Sequence, residues 1–233
     1  MKNNLFQNLP PSANLNLSLG MLGICGLGIF LAWFVTAMQL LPLPSDRIQS
    51  SLVGASWQFS TTVILLYVWA NKRLRLPLRE LGITTRNLLR TTLLGCLLYS
   101  LALVAFVSCS NAPFIAHHAL RTADLKDAML LLFSMSITAA GTDLTTRGFI
   151  LLGLARYAPL SFAIIVQNAL WYLGHVGEIA QLSGCLGVSG AIGLTLTLGI
   201  LGDVIALKTR NVIGLAIAHV FLNIAMMIFI RTY

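Results

Sequence analysis

The chain is predicted to be an all-α membrane bundle of about seven transmembrane helices, and three observations carry that prediction. Of 233 residues, 57% are hydrophobic and only 9% are charged, more apolar surface than a water-soluble domain of this size can hide. The apolar residues fall in long blocks rather than in amphipathic stripes. Seven of these blocks approach or exceed the roughly 20 residues a helix needs to cross a hydrocarbon layer about 30 Å thick.

The blocks are Leu19–Leu41, Ser50–Ala70, Leu88–Ser110, Ala128–Leu154, Ser161–Val176, Val188–Leu207 and Val212–Ile230, the fourth long and the fifth short. Residues 1–18, with several Asn and the adjacent Pro10 and Pro11, read as a mobile or interfacial lead. The first block exceeds the apolar core of a cleavable signal. Its Gly20, Gly23, Gly26 and Gly28 form a small-residue seam for close helix approach. Pro42 and Pro44 end the helix in a tight turn. The second block leads into the largest basic loop, Asn71 to Asn87, which contains Arg79-Glu80-Leu81-Gly82-Ile83. The third is featureless apart from Tyr99. Beyond it lie His117, His118 and Asp124; adjacent loop histidines are more often a solvated pair than a metal site. In the sixth block the spacing of Gly187, Gly190 and Gly193 predicts a smooth packing face in its first half, and Asp203, near Lys208 and Arg210, reads as an interfacial ion pair.

The formal charge of +8 suggests nucleic acid, but its distribution does not. With the N-terminus in the cytoplasm, one side holds Lys2, Lys72, Arg73, Arg75, Arg79, Arg86, Arg90, Arg156, Lys208 and Arg210. The other holds Arg47, Arg121, Lys126 and Arg231. Ten against four fits the positive-inside rule for a seven-span chain in a bacterial-type plasma membrane. The surplus charge then orients the protein and touches anionic lipid, and no nucleic-acid partner is expected. Cys25, Cys96, Cys109 and Cys185 lie in or beside spans with no CxxC spacing, so they read as small packing residues, with neither a disulfide framework nor a zinc knuckle.

The chemistry concentrates in the fourth block, where Thr142, Asp143, Thr145, Thr146 and Arg147 interrupt a membrane-grade run. An Asp or an Arg at the bilayer centre costs about 3 kcal/mol unless paired or wetted, which makes such residues functional candidates. At about 1.5 Å per residue from the cytoplasmic ends, Asp143 lies roughly 16 Å deep, His175 roughly 21 Å, His219 roughly 10 Å and Asn223 roughly 16 Å. His219 and Asn223, four residues apart, share one helix face. Polar groups on three helices at similar depth need one another or water. They form either a register-fixing hydrogen-bond cluster or a site. A proton relay would use the same residue types, but no inverted repeat or pair of broken helices accompanies them.

The segment Thr142-Asp143-Leu144-Thr145-Thr146-Arg147-Gly148-Phe149-Ile150-Leu151-Leu152 resembles the EExxxRGxLL motif of the CAAX protease and bacteriocin-processing family of intramembrane endopeptidases. Trp171-Tyr172-Leu173-Gly174-His175 resembles its FxxxH, and His219-Val220-Phe221-Leu222-Asn223 its HxxxN. The likeness covers about residues 125–230, leaving 19–124 as N-terminal helices and 125–233 as a core. It implies a hydrolase of membrane-associated proteins or peptides. The family's water-activating glutamate falls at Thr142 and its second glutamate at Asp143. His175 would hold the water or the base, His219 and Asn223 would stabilise the oxyanion, Trp171 would support, and Arg147 would pair with Asp143. Some accounts of the family place a metal on the Glu/His set, so a zinc ion on Asp143, His175 and His219 is the cofactor the resemblance allows. Thr142 departs from the pattern, since a hydroxyl is no general base near neutral pH, and Asp143 is shorter and turned about 100° around the helix from residue 142. Two expectations follow: a divergent protease using Asp143, with a wet path to the cytoplasm, or a proteolytically silent relative that binds or escorts membrane proteins.

Overall fold

The computed structural model of the chain describes residues 11–37, 47–109 and 124–232, which leaves His117 and His118 outside the described residues. All regular structure among the described residues is helical. The helices are α1 (Pro11–Ala37), α2 (Arg47–Phe59), α3 (Leu65–Arg73), α4 (Leu88–Ser108), α5 (Leu125–Asp143), α6 (Leu160–Gly174), α7 (Val176–Thr209) and α8 (Ile213–Thr232). A π-helical turn, Ser60–Ile64, joins α2 to α3, and a longer π segment, Leu144–Gly153, continues α5, so among the described residues these eight α-helices make seven rods, one for each apolar block. Four stretches, Ile48–Arg73, Leu88–Ser108, Leu125–Gly153 and Val176–Thr209, are long and apolar enough to cross a membrane. Proline needs no N–H in the first turn, so α1 starts at Pro11, ahead of its apolar block.

The π segment after α5 is the axis of the bundle. Every residue from Thr145 to Leu154 is buried, so a helix that is apolar almost all round is covered on every side. It packs with Leu66, Leu81, Ala163, Ala206 and Leu215 in the main core. The i→i+5 winding displaces backbone hydrogen bonds, and hydroxyls supply partners: Tyr67 donates to the Leu144 carbonyl at 2.9 Å, and Thr145 donates to Thr62, inside the other π turn, at 2.7 Å.

One end of the bundle gathers the loops between α3 and α4, between the π segment and α6, and between α7 and α8. Asn211 ties them, its Nδ2 donating to the Thr84 and Arg86 carbonyls at 2.7 Å each while its Oδ1 accepts from Gly214 N at 2.8 Å. Val212 N donates to the Gly82 carbonyl at 2.9 Å, and Glu80 pairs with Arg156. Gly82 adopts φ +83°, where glycine is favoured. The basic residues of the large loop therefore sit at this end together with Arg156 and Arg210.

Three expectations are corrected. Cys109, just after α4, and Cys185, in the first half of α7, form a disulfide with Cα atoms 5.7 Å apart; the other two cysteines, Cys25 and Cys96, are free. The bridge joins residues 76 positions apart in separate helices, a proximity that local spacing does not encode. The packing face of α7 lies in its second half, not its first. Gly187 breaks the helix at φ +70°, and a side chain at Gly193 would meet nothing within 4 Å. A Cβ on Gly199 or Gly202 would instead collide with Asn168 or with the Arg147 guanidinium. In α1 the seam is likewise partial: a Cβ added to Gly28 would lie 2.7 Å from the Thr61 carbonyl oxygen, while Gly23 and Gly26 face open space.

These contacts predict opposite outcomes for two glycines on one helix. Gly202→Val displaces Arg147 and lowers the unfolding temperature of the detergent-solubilised protein steeply. Gly193→Ala raises stability slightly, by up to about 1 kcal/mol, through helix propensity. Thermal unfolding of the two variants side by side checks the pair.

Candidate active site

Arg147 leaves the axial π segment and is wholly buried. Its Nη1 pairs with Asp143 and donates to the Tyr99 hydroxyl at 3.1 Å. Its Nη2 donates to the Leu198 carbonyl at 3.2 Å, and its Nε lies 3.7 Å from Asp203 Oδ1. Its Cζ sits 4.1 Å from the centroid of the Trp171 ring, a cation–π contact out of water. Asp203 is thus no interfacial partner of Lys208 and Arg210. It is buried, accepts from Asn168 Nδ2 at 2.8 Å, and helps neutralise Arg147. Its place on the Gly199–Gly202 face of α7, where the helices approach closely, turns it inward.

Asp143 is equally enclosed. Arg147 binds one side of its carboxylate, the Tyr99 hydroxyl donates to it at 3.1 and 3.2 Å, and His219 Nδ1 lies 3.0 Å from Oδ2. Facing a guanidinium, the carboxylate is an acceptor only, so Nδ1 of His219 carries the proton and its Nε2 keeps the lone pair. The His219 ring stacks on Tyr99 with centroids 4.6 Å apart. His175, at the break between α6 and α7, is held comparably: its Nδ1 lies 2.7 Å from the Trp171 carbonyl oxygen, which can only accept, and its ring lies 4.1 Å from that of Trp171. Trp171 is itself fixed by Nε1–H donation to the Thr195 carbonyl at 3.2 Å.

His175, His219, Asn223, Tyr99 and Trp171 line a single cavity of about 240 Å³. The rest of its wall is largely apolar, with Ala102, Phe106, Met135, Leu182, Leu198 and Met226 among the lining residues, as expected of a small-ligand or peptide site. Among the described residues the Asn223 amide has no hydrogen-bond partner, although the residue is buried. On α4 and α8 the lining runs from Tyr99 and His219 toward Phe106 and Met226. The cavity therefore extends away from the basic end.

Asp143 and Thr142 do not line this cavity. Asp143 stands one side chain behind the wall, screened by Tyr99 and His219. The Thr142 hydroxyl donates to the Thr138 carbonyl of its own helix at 3.0 Å. Among the described residues no three His, Cys, Asp or Glu side chains are grouped to hold a metal ion. The candidate set of Asp143, His175 and His219 does not fit one, because the Asp143 oxygens are occupied by Arg147, Tyr99 and the His219 proton.

Tyr99 and Glu178 joined the site unannounced. Tyr99 stood out only as the lone polar aromatic of its block. Glu178, three residues beyond His175, is the only carboxylate among the cavity's lining residues; it was hidden because the helix after His175 was not expected to begin at Val176.

With this geometry established, the comparison with known families is specific. Residues 124–225 match the family described as type II CAAX prenyl endopeptidase Rce1-like. These residues form a Rce1-like domain. No curated protein and no solved structure matches the chain. The Rce1-like domain spans all three motif segments, from the N-cap of α5, where the Asp124 carboxylate accepts from Asp127 N at 2.8 Å, to just beyond Asn223. The family it matches is a protease family within the CAAX protease and bacteriocin-processing group, and the chain is an integral membrane protein.

Removing the central cation tests this framework. Arg147→Ala leaves Asp143 and Asp203 buried without a counter-charge, at a cost of about 3–5 kcal/mol. The expected result is a sharp fall in the folded fraction recovered in detergent, with Tyr99→Phe, which removes one hydroxyl, far milder by the same measure.

Proposed function

We propose that the protein is an intramembrane endopeptidase that hydrolyses a peptide bond of a membrane-associated protein or peptide, and that it does so with its own side chains. The observation that carries this reading is the convergence of His175, His219 and Asn223 on one largely apolar cavity inside the bundle. Polar groups at membrane depth ordinarily satisfy each other. Here two imidazoles keep free Nε2 atoms and a buried amide keeps free donors. An extended apolar segment entering the cavity would bring its carbonyl to these groups, with Asn223 Nδ2 placed to donate to the oxygen as charge develops there.

The basic end is cytoplasmic in this reading, by the positive-inside rule. The disulfide at the opposite end then faces an oxidising compartment, where such bonds persist. The cavity extends toward that same side, so in this reading the substrate segment enters from the non-cytoplasmic half of the bilayer.

A second reading is favoured by one observation: the motif's acid positions do not reach the cavity, Thr142 being tied to its own helix and Asp143 sealed. A silent relative that binds a membrane segment without cutting it would look the same. Reconstituted full-length protein, tested on internally quenched peptides carrying an apolar segment, separates the two. The endopeptidase cleaves; His175→Ala and Asn223→Ala each lower the rate at least tenfold, and a chelator of divalent metals leaves it unchanged. Binding of the peptide without any cleavage supports the silent partner instead.

A further inference from the structure

Resting on the endopeptidase reading above, we propose that the general base is His219, through Nε2, with Asp143 acting behind it as a positioning residue. The chain would then take the proton of the attacking water on its third motif, the first having lost the capacity to do so.

Elimination gives the first half of the argument. A base must reach the reacting water within about 3 Å. Thr142 has no basic atom, and Asp143 is enclosed by Arg147, Tyr99 and His219, with no face toward the cavity. Three proton acceptors line the cavity instead: His175, Glu178 and His219.

Geometry separates these three. A base is protonated once it has acted, so its partner must welcome the new charge. His219 donates Nδ1–H to a carboxylate at 3.0 Å, the arrangement that holds an imidazole in one tautomer and stabilises its cation. His175 donates to a neutral carbonyl at 2.7 Å. Glu178 is exposed at the start of α7, outside the buried cluster. The buried cluster behind His219 contains two carboxylates, Asp143 and Asp203, and a single guanidinium, Arg147. A proton taken up at Nε2 therefore adds a cation one hydrogen bond from the Asp143 carboxylate. Asn223, one turn along the same helix, sets an oxyanion donor beside the base.

The chemistry balances without another reactant. Water oxygen attacks the scissile carbonyl carbon while its proton passes to His219 Nε2, and the carbonyl π pair moves to an oxygen held by Asn223. The intermediate then collapses, the C–N bond breaks, and the imidazolium proton goes to the leaving amine. The products are a carboxylic acid and an amine.

The test uses the full-length protein in vesicles of phosphatidylethanolamine and phosphatidylglycerol, with the quenched apolar peptides as substrate. A glutamine at 219 can still donate to an oxyanion but cannot accept a proton as imidazole does. His219→Gln is expected to lose at least about a hundredfold in kcat. Asp143→Asn is expected to lose about as much in kcat at unchanged KM, and to release His219 from the Nδ1–H tautomer in the 15N spectrum of histidine-labelled protein. If Asp143→Asn does not accumulate, His219→Gln decides alone. Retention of more than a tenth of wild-type kcat by His219→Gln overturns the assignment. So does loss of cleavage in Glu178→Gln with His219→Gln active, which moves the base to Glu178. A wild type that cleaves nothing removes the endopeptidase reading and this assignment together, whereas an active wild type with active His219→Gln removes the assignment only.

Discussion

The buried guanidinium of Arg147 is the constraint that the rest of the bundle serves. A cation on the axial helix is costly at membrane depth unless it is paired, and the neighbouring helices supply what it needs. Asp143 comes from its own helix, Asp203 and the Leu198 carbonyl from α7, Tyr99 from α4, and the Trp171 ring from α6. Gly202 makes room, since any side chain there would occupy the guanidinium's place. Four separate rods are thereby keyed to one another around a single charge, and the cavity takes its shape from the same helices.

The two faces of this assembly have different jobs. On the inner side, Arg147, Asp143, Asp203 and Asn168 form a polar knot that water does not reach. On the outer side, Tyr99, Trp171, His175 and His219 turn atoms held by the knot toward open space. The aromatic rings connect the two: Tyr99 bonds the carboxylate while its ring supports His219, and Trp171 covers Arg147 while its carbonyl fixes His175. Rigid placement of a few polar atoms in an apolar hollow is what catalysis by positioning requires. Here the rigidity comes from charge pairing that lies behind the cavity wall.

Much of this architecture was legible beforehand. The seven apolar blocks are properties of composition, and each became a rod. The Asp143–Arg147 pair follows from a spacing of four, His175, His219 and Asn223 were marked by polarity at similar depth, and Trp171 by the segment resembling FxxxH. What stayed hidden depended on contacts between distant segments. Asp203 has basic residues close in sequence, but its helix face turns it to Arg147. The glycines that matter in α7 are those opposite bulky partners, and sequence spacing does not say which those are. The Cys109–Cys185 bridge needs the end of α4 to meet the first half of α7. The early start of α7 at Val176, which brings Glu178 to the cavity, depends on a helix break at His175 that no proline announces.

The placement of Tyr99 bears on how the molecule is divided. It lies in α4, ahead of the stretch that matches the Rce1-like family, yet its hydroxyl touches both Asp143 and Arg147. Residues 124–225 excised as an autonomous module would leave that carboxylate one donor short and strip the stacking platform from His219. The upstream helices are thus co-owners of the cavity, and a chimera that exchanged them for generic membrane anchors would inherit the recognisable motifs with an incomplete wall.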